Sequence, residues 1–70
     1  MSNISSTMAG NVWKIQVQVG DKIEEGQEVV ILESMKMEIP IEAEASGTVK
    51  AIKVNEGDFV NEGDTIIELT

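Results

Sequence analysis

Lys36 stands between two methionines in "ESMKMEIPIE" (33–42), with Glu33 and Glu38 just outside them. Few other side chains in this sequence offer chemistry. There is no cysteine, which removes thiolate nucleophiles, disulfides and cysteine metal sites together. There is no histidine, which removes the usual general base and the commonest metal ligand. Carboxylates are plentiful, but they are scattered evenly along turn-like segments, so a hydrolytic acid/base pair is not expected. "NEGD" occurs at 55–58 and again at 61–64, yet the calcium-loop pattern D-x-[DN]-x-[DN]-G is not met, and no metal site is expected. There is also no G-x-S-x-G, no Walker-type glycine loop and no G-x-G-x-x-G. What remains is one lysine amine bracketed by two flexible apolar side chains. On pattern alone, Lys36 reads equally well as a solvated surface lysine, Met37 as a core residue and Met35 as incidental.

The rest of the composition narrows the class. A net charge of -8 over 70 residues argues against nucleic acid, because phosphate binding needs clustered Lys and Arg. It argues against an anionic membrane surface for the same reason. No run approaches the roughly 20 apolar residues of a membrane span. "MSNISSTMAG" has neither a basic n-region nor an apolar h-region, so no signal peptide is expected and the protein reads as cytoplasmic. Residues 1–70 are expected to form one domain, monomeric in isolation. At this size stability must come from an aliphatic core rich in Val and Ile, with Trp13 and Phe59 the only aromatics.

The elements that would position Lys36 follow from an internal repeat. A shift of 37 positions lays "GNVWKIQVQVGDKIEEGQEVVILE" (10–33) on "GTVKAIKVNEGDFVNEGDTIIELT" (47–70) without a gap. Gly10/Gly47, Val12/Val49, Ile15/Ile52, Gly20/Gly57, Asp21/Asp58 and Gly26/Gly63 are among the identical pairs, and upstream Ile4 falls on Ile41. The copies run from about 4 to 33 and from 41 to 70, with a hairpin at 34–40 between them. Both are β-branched and punctuated by turn residues, and neither shows a helical period. Val12, Ile15 and Val17 cannot all face inward along an alternating strand, so a bulge or bend is expected there and in the second copy. A sheet protein this small must stack or close to bury one face. The expected fold is all-β: a flattened barrel or sandwich of two antiparallel sheets with quasi-two-fold internal symmetry.

A two-residue turn at Met35-Lys36 gives the hairpin clean faces. Ser34 then opposes Met37, Glu33 opposes Glu38, Leu32 opposes Ile39, Ile31 opposes Pro40 and Val30 opposes Ile41, and cross-strand partners share a face. One face holds Val30, Leu32, Met37, Ile39 and Ile41; the other holds Val29, Ile31, Glu33, Glu38, Pro40 and Glu42. Shifting the turn by one residue changes the partners. Lys36 is therefore expected at a hairpin tip, with Met37 turned toward the core and Met35 in the turn. Met-Lys is poorly suited to a type I′ turn, so a type I turn is expected. The opposed Glu33 and Glu38 suggest a tip chosen for something besides folding.

"ESMKM", followed by "IEAEASGTV" and "EGDFVNEGD", resembles the biotin-carrier domain of biotin-dependent carboxylases, whose motif is E-A-M-K-M with a biotinylated lysine. Lipoyl domains share that fold but typically carry D-K-A at their lysine. The resemblance runs from about Met8 to Leu69, and a short chain of this kind is similar to the small biotin/lipoyl attachment proteins of bacilli. It implies that Lys36 is the attachment site for covalent biotin, with Met35, Met37 and Glu33 as recognition residues. Ser34 stands where the family usually has Ala. The ungapped repeat leaves no room for the protruding thumb of some acetyl-CoA carboxylase carriers, so a thumbless domain is expected. No Ala/Pro-rich linker precedes it, which suits a subunit in its own right.

The implied role is a non-catalytic carrier. A biotin protein ligase would activate biotin as its adenylate, and the Lys36 amine would attack to give an amide. A free lysine with pKa ~10.4 is deprotonated in only about one copy in 2500 at pH 7, so the ligase must supply deprotonation. The arm would take carboxyl at a biotin carboxylase and deliver it at a carboxyltransferase, the tether raising effective concentration. Two alternatives stay open: a lipoylated Lys36 serving acyl or aminomethyl transfer, and an unmodified β-sandwich interaction module.

Overall fold

In a computed structural model that describes residues 2–70, the chain forms eight strands and, among the described residues, no helix. They are β1 (Ser2–Ser5), β2 (Gly10–Ile15), β3 (Lys22–Ile23), β4 (Glu28–Ser34), β5 (Met37–Glu42), β6 (Gly47–Ile52), β7 (Phe59–Val60) and β8 (Thr65–Leu69). Two four-stranded sheets result, in the orders β1-β8-β6-β3 and β5-β4-β2-β7, with every pairing antiparallel.

The sequence repeat is written into the strand pairing. Ile4↔Ile67 in one sheet has its counterpart in Ile41↔Val30 in the other, and Gly10↔Val60 has its counterpart in Gly47↔Ile23. The hydrogen bonds of the turns that lead into β3 and β7 repeat too. Gly20 N–H donates to the Val49 carbonyl at 2.9 Å, and Gly57 N–H donates to the Val12 carbonyl at 2.7 Å. The quasi-two-fold sandwich expected from the repeat is the fold observed. Its core is aliphatic: Ile4, Val12, Ile23, Val30, Leu32, Ile41, Val49, Val60, Ile67 and Leu69 are all buried. Trp13 and Phe59 stand outside it, and the equivalent positions of the other copy are Lys50 and Lys22.

Bulges reconcile the pattern with the pleat. Register slips between Val12 and Lys14 in β2 and between Val49 and Ala51 in β6, where a bulge was expected. Trp13 is the extra residue, so Val12 can turn inward while Ile15 still packs against the core. A second pair of bulges was not expected. Register also slips between Glu28 and Val30, and Ile66 is left between the Ile4↔Ile67 and Ser5↔Thr65 pairs. Consecutive residues therefore turn inward: Val29 with Val30, and Ile66 with Ile67. This corrects the placement of Val29 on the outer face, because strict alternation ends where the strand gains a residue.

The acidic turns serve the fold. Asn55 to Asp58 closes with a 3.0 Å bond from the Asp58 N–H to the Asn55 carbonyl. Its third residue, Gly57, has φ 97°, which a type II turn requires and other residues resist. Asp58 Oδ2 accepts the Asn55 N–H at 2.8 Å; Asp21, Gln27 and Asp64 do the same for Gln18, Glu24 and Asn61. These side chains satisfy backbone donors at sharp corners. Among the described residues there is no acidic cluster able to hold a metal ion.

Gly47 answers to a close approach. A Cβ there would sit 2.8 Å from the Thr70 carbonyl oxygen and 3.2 Å from Leu69 Cβ. Gly47→Ala must push β6 from β8, and a loss of about 1–3 kcal/mol is expected in thermal or urea unfolding. Gly10→Ala has its tightest contact with the Glu33 carbonyl oxygen, at 3.1 Å, and should cost less.

Candidate functional site

The hairpin β4–β5 adopts the register its faces demand. Val30 pairs with Ile41, Ile31 with Pro40, Leu32 with Ile39, Glu33 with Glu38 and Ser34 with Met37, which leaves Met35-Lys36 as a two-residue turn. The turn itself differs from the expectation. Met35 has φ 51° and Lys36 φ 64°, so it is type I′, not type I. The primed turn matches the right-handed twist of the strands it joins, whereas a type I turn would splay them. Strand twist therefore outranks the poor fit of Met and Lys to left-handed backbone, at a cost of roughly 1–2 kcal/mol per residue. Met35→Asn, which tolerates this conformation far better, is expected to raise stability by about 0.5–1 kcal/mol in a denaturant melt.

Met37 also departs from expectation. It lies on the inward side but is 63% exposed. Burial falls off along that face: Val30, Leu32 and Ile41 are buried, Ile39 is half-buried and Met37 is exposed. The physical reason is reach. The neighbouring strand β2 starts at Gly10 and pairs with β4 only from Asn11↔Glu33 onward, so the last turn of the hairpin projects past the core. Periodicity tells which way a side chain points, and it cannot tell whether anything lies opposite. Gly10 supports the base of this projection, close to the Glu33 carbonyl and to Ser34 Cβ. Its identity with Gly47 across the repeat was the signal for such a role.

The tip gathers the residues singled out in the sequence. Lys36 is exposed, and among the described residues no hydrogen bond or ion pair holds its amine. Met35 beside it is 92% exposed, more than any other large apolar side chain described. Glu33 and Glu38 face each other on the outer side of the hairpin, both exposed. Two surface depressions lie away from the tip, one lined by Asn3, Lys50, Glu68 and Leu69 and another around Lys22, Ile23 and Gly47. In the other half β8 pairs with β1 as β4 pairs with β5 here, and no turn joins that pair among the described residues.

A small antiparallel sandwich with an exposed lysine at a hairpin tip has the form of an attachment domain. The family model described as "Biotin-requiring enzyme" matches residues 1–69, and the chain belongs to that family. It is 66% identical over 67 residues to the biotin/lipoyl attachment protein of Bacillus subtilis (strain 168), covering 96% of this chain and 92% of the relative. It is 44% identical over 68 residues to the biotin carboxyl carrier protein of Streptococcus mutans, covering 97% of this chain and 52% of that protein. Among solved structures, the urea carboxylase of Kluyveromyces lactis matches with a TM-score of 0.90 and 36% identity, over 99% of this chain and 6% of that one.

Proposed function

We propose that this chain is a biotin carboxyl carrier, non-catalytic in itself, modified at Lys36 and served by a biotin protein ligase, a biotin carboxylase and a carboxyltransferase. The observation that carries this reading is the geometry of Met35-Lys36-Met37: an amine without a hydrogen bond or ion pair among the described residues, at the end of a projecting hairpin and flanked by two exposed thioethers. The residues fit the group. An amide to biotin needs an accessible primary amine and clearance around it, and the tip offers both.

The chain's own residues hold and present. Lys36 supplies the nitrogen of the amide. With no histidine in the sequence and, among the described residues, no carboxylate bonded to the amine, the ligase must remove the proton before attack. Met35 and Met37 offer adaptable apolar contact to more than one partner, and Glu33 adds a charged mark on the outer face. The attached biotin supplies the site that carries a carboxyl group between the two enzymes. Rigid strands below the tip restrict the motion to the arm, so that encounter becomes local and effective concentration rises. The net charge of -8 suits a carrier that must leave each active site after visiting it, and a monomer working in the cytoplasm agrees with that task.

A second reading, a lipoyl carrier, is favoured by one observation: the Bacillus subtilis relative is described as a biotin/lipoyl attachment protein. Purified chain incubated with biotin, ATP and a biotin protein ligase should gain one biotinyl group by intact mass, and Lys36→Arg should gain none. Preferential modification by a lipoyl-attaching enzyme would transfer the proposal to lipoate.

A further inference from the structure

The sulfurs beside Lys36 are open to more than a partner's surface. The sequence holds no cysteine, so thioethers are its readiest targets for two-electron oxidation. Met35 is 92% exposed and Met37 63%, whereas Met8 packs against the core. Susceptibility follows exposure, so of the three methionines whose exposure is described a mild oxidant should act first on the two that bracket the lysine.

We propose that Met35 and Met37 form an oxidation site at which peroxide switches off the acylation of Lys36. This rests on the carrier reading above. The step is an oxygen transfer from a hydroperoxide. A sulfur lone pair attacks one peroxide oxygen, the S–O bond forms and the O–O bond breaks. The proton on the transferred oxygen passes to the departing oxygen, so hydrogen peroxide leaves as water. Sulfur is oxidised by two electrons and the peroxide is reduced by two. The product replaces a flexible apolar side chain with a polar, chiral one at the surface a ligase must read. The fold is untouched, because neither side chain belongs to the buried core. Methionine sulfoxide reductases of both epimer specificities reverse the change, which makes the tip a reversible site.

The test treats the intact protein with hydrogen peroxide and maps oxygen addition by peptide mass spectrometry. Met35 and Met37 sulfoxides are expected to appear well before that of Met8, with the melting temperature unchanged. Ligase-catalysed biotinylation of the oxidised protein should fall about ten-fold or more, the scale of a lost contact at the centre of an interface. Treatment with both reductases should restore it. In a Met35→Leu/Met37→Leu variant, whatever its starting rate, peroxide should leave the rate where it was. Unchanged biotinylation of protein carrying both sulfoxides would overturn the proposal. So would an equal loss in the double leucine variant, which would place the damage elsewhere. Failure of untreated protein to be biotinylated at all would strike the carrier reading instead, and the order of oxidation would still report on the site.

Discussion

Leu32→Ala is expected to lower the melting temperature by roughly 8–40 °C, and to leave much of the protein unfolded at 37 °C. Leu32 is fully buried on β4, between Val12 of β2 and Ile39 of β5 in the sheet. Truncating a buried leucine costs about 2–5 kcal/mol, as lost transfer free energy plus the cavity left behind. For a domain of this size each kcal/mol moves the midpoint by about 4–8 °C. Total stability at roughly 0.05–0.15 kcal/mol per residue leaves little in reserve. No disulfide offsets the loss. Met37→Ala, five residues along the same hairpin but exposed, should shift the midpoint by only a few degrees. A similar shift from both variants would mean that the hairpin's inner face does not divide between core and tip as described.

Moving the lysine by one residue should be as damaging to modification as Leu32→Ala is to folding. Met35→Lys combined with Lys36→Met keeps composition, net charge and the Met-Lys-rich character of the tip. Both positions have left-handed backbone, so the turn should form as before. The amine, however, leaves from the first turn position instead of the second and points another way. Catalytic sites lose about a hundred-fold for misplacements near 1 Å, and consecutive Cα atoms lie ~3.8 Å apart. Biotinylation of the exchanged protein is therefore expected to fall at least about a hundred-fold, measured as initial rate by intact mass. Unchanged melting would confirm that the loss lies in presentation. Near-normal modification would show that any exposed lysine on this hairpin suffices.

How far each feature could be read from the sequence depended on the physics behind it. The hairpin register was legible because a two-residue turn at Met35-Lys36 pairs Leu32 with Ile39 and Val30 with Ile41 on one face, and every pair from Val30↔Ile41 to Ser34↔Met37 follows. The bulge at Trp13 was legible because Val12, Ile15 and Val17 break alternation. The bulge that buries Val29 left a quieter trace, the apolar doublets Val29-Val30 and Ile66-Ile67 at equivalent places in the two copies. The turn type was not legible from Met-Lys, since strand twist decided it against residue preference. The exposure of Met37 was not legible from spacing either, because it depends on where β2 begins. That exposure alters the reading of the tip: the two methionines are both presented to solvent on either side of the lysine, rather than one serving the core.

The carrier reading turns on what Lys36 bears in the cell. Intact protein isolated from its own cells should show a single added mass equal to one biotinyl group, localised by peptide mapping to the peptide containing Lys36. The Lys36→Arg form expressed in the same cells should show none. A lipoyl increment, an increment on another residue, or unmodified protein in cells that biotinylate their other carriers would contradict it.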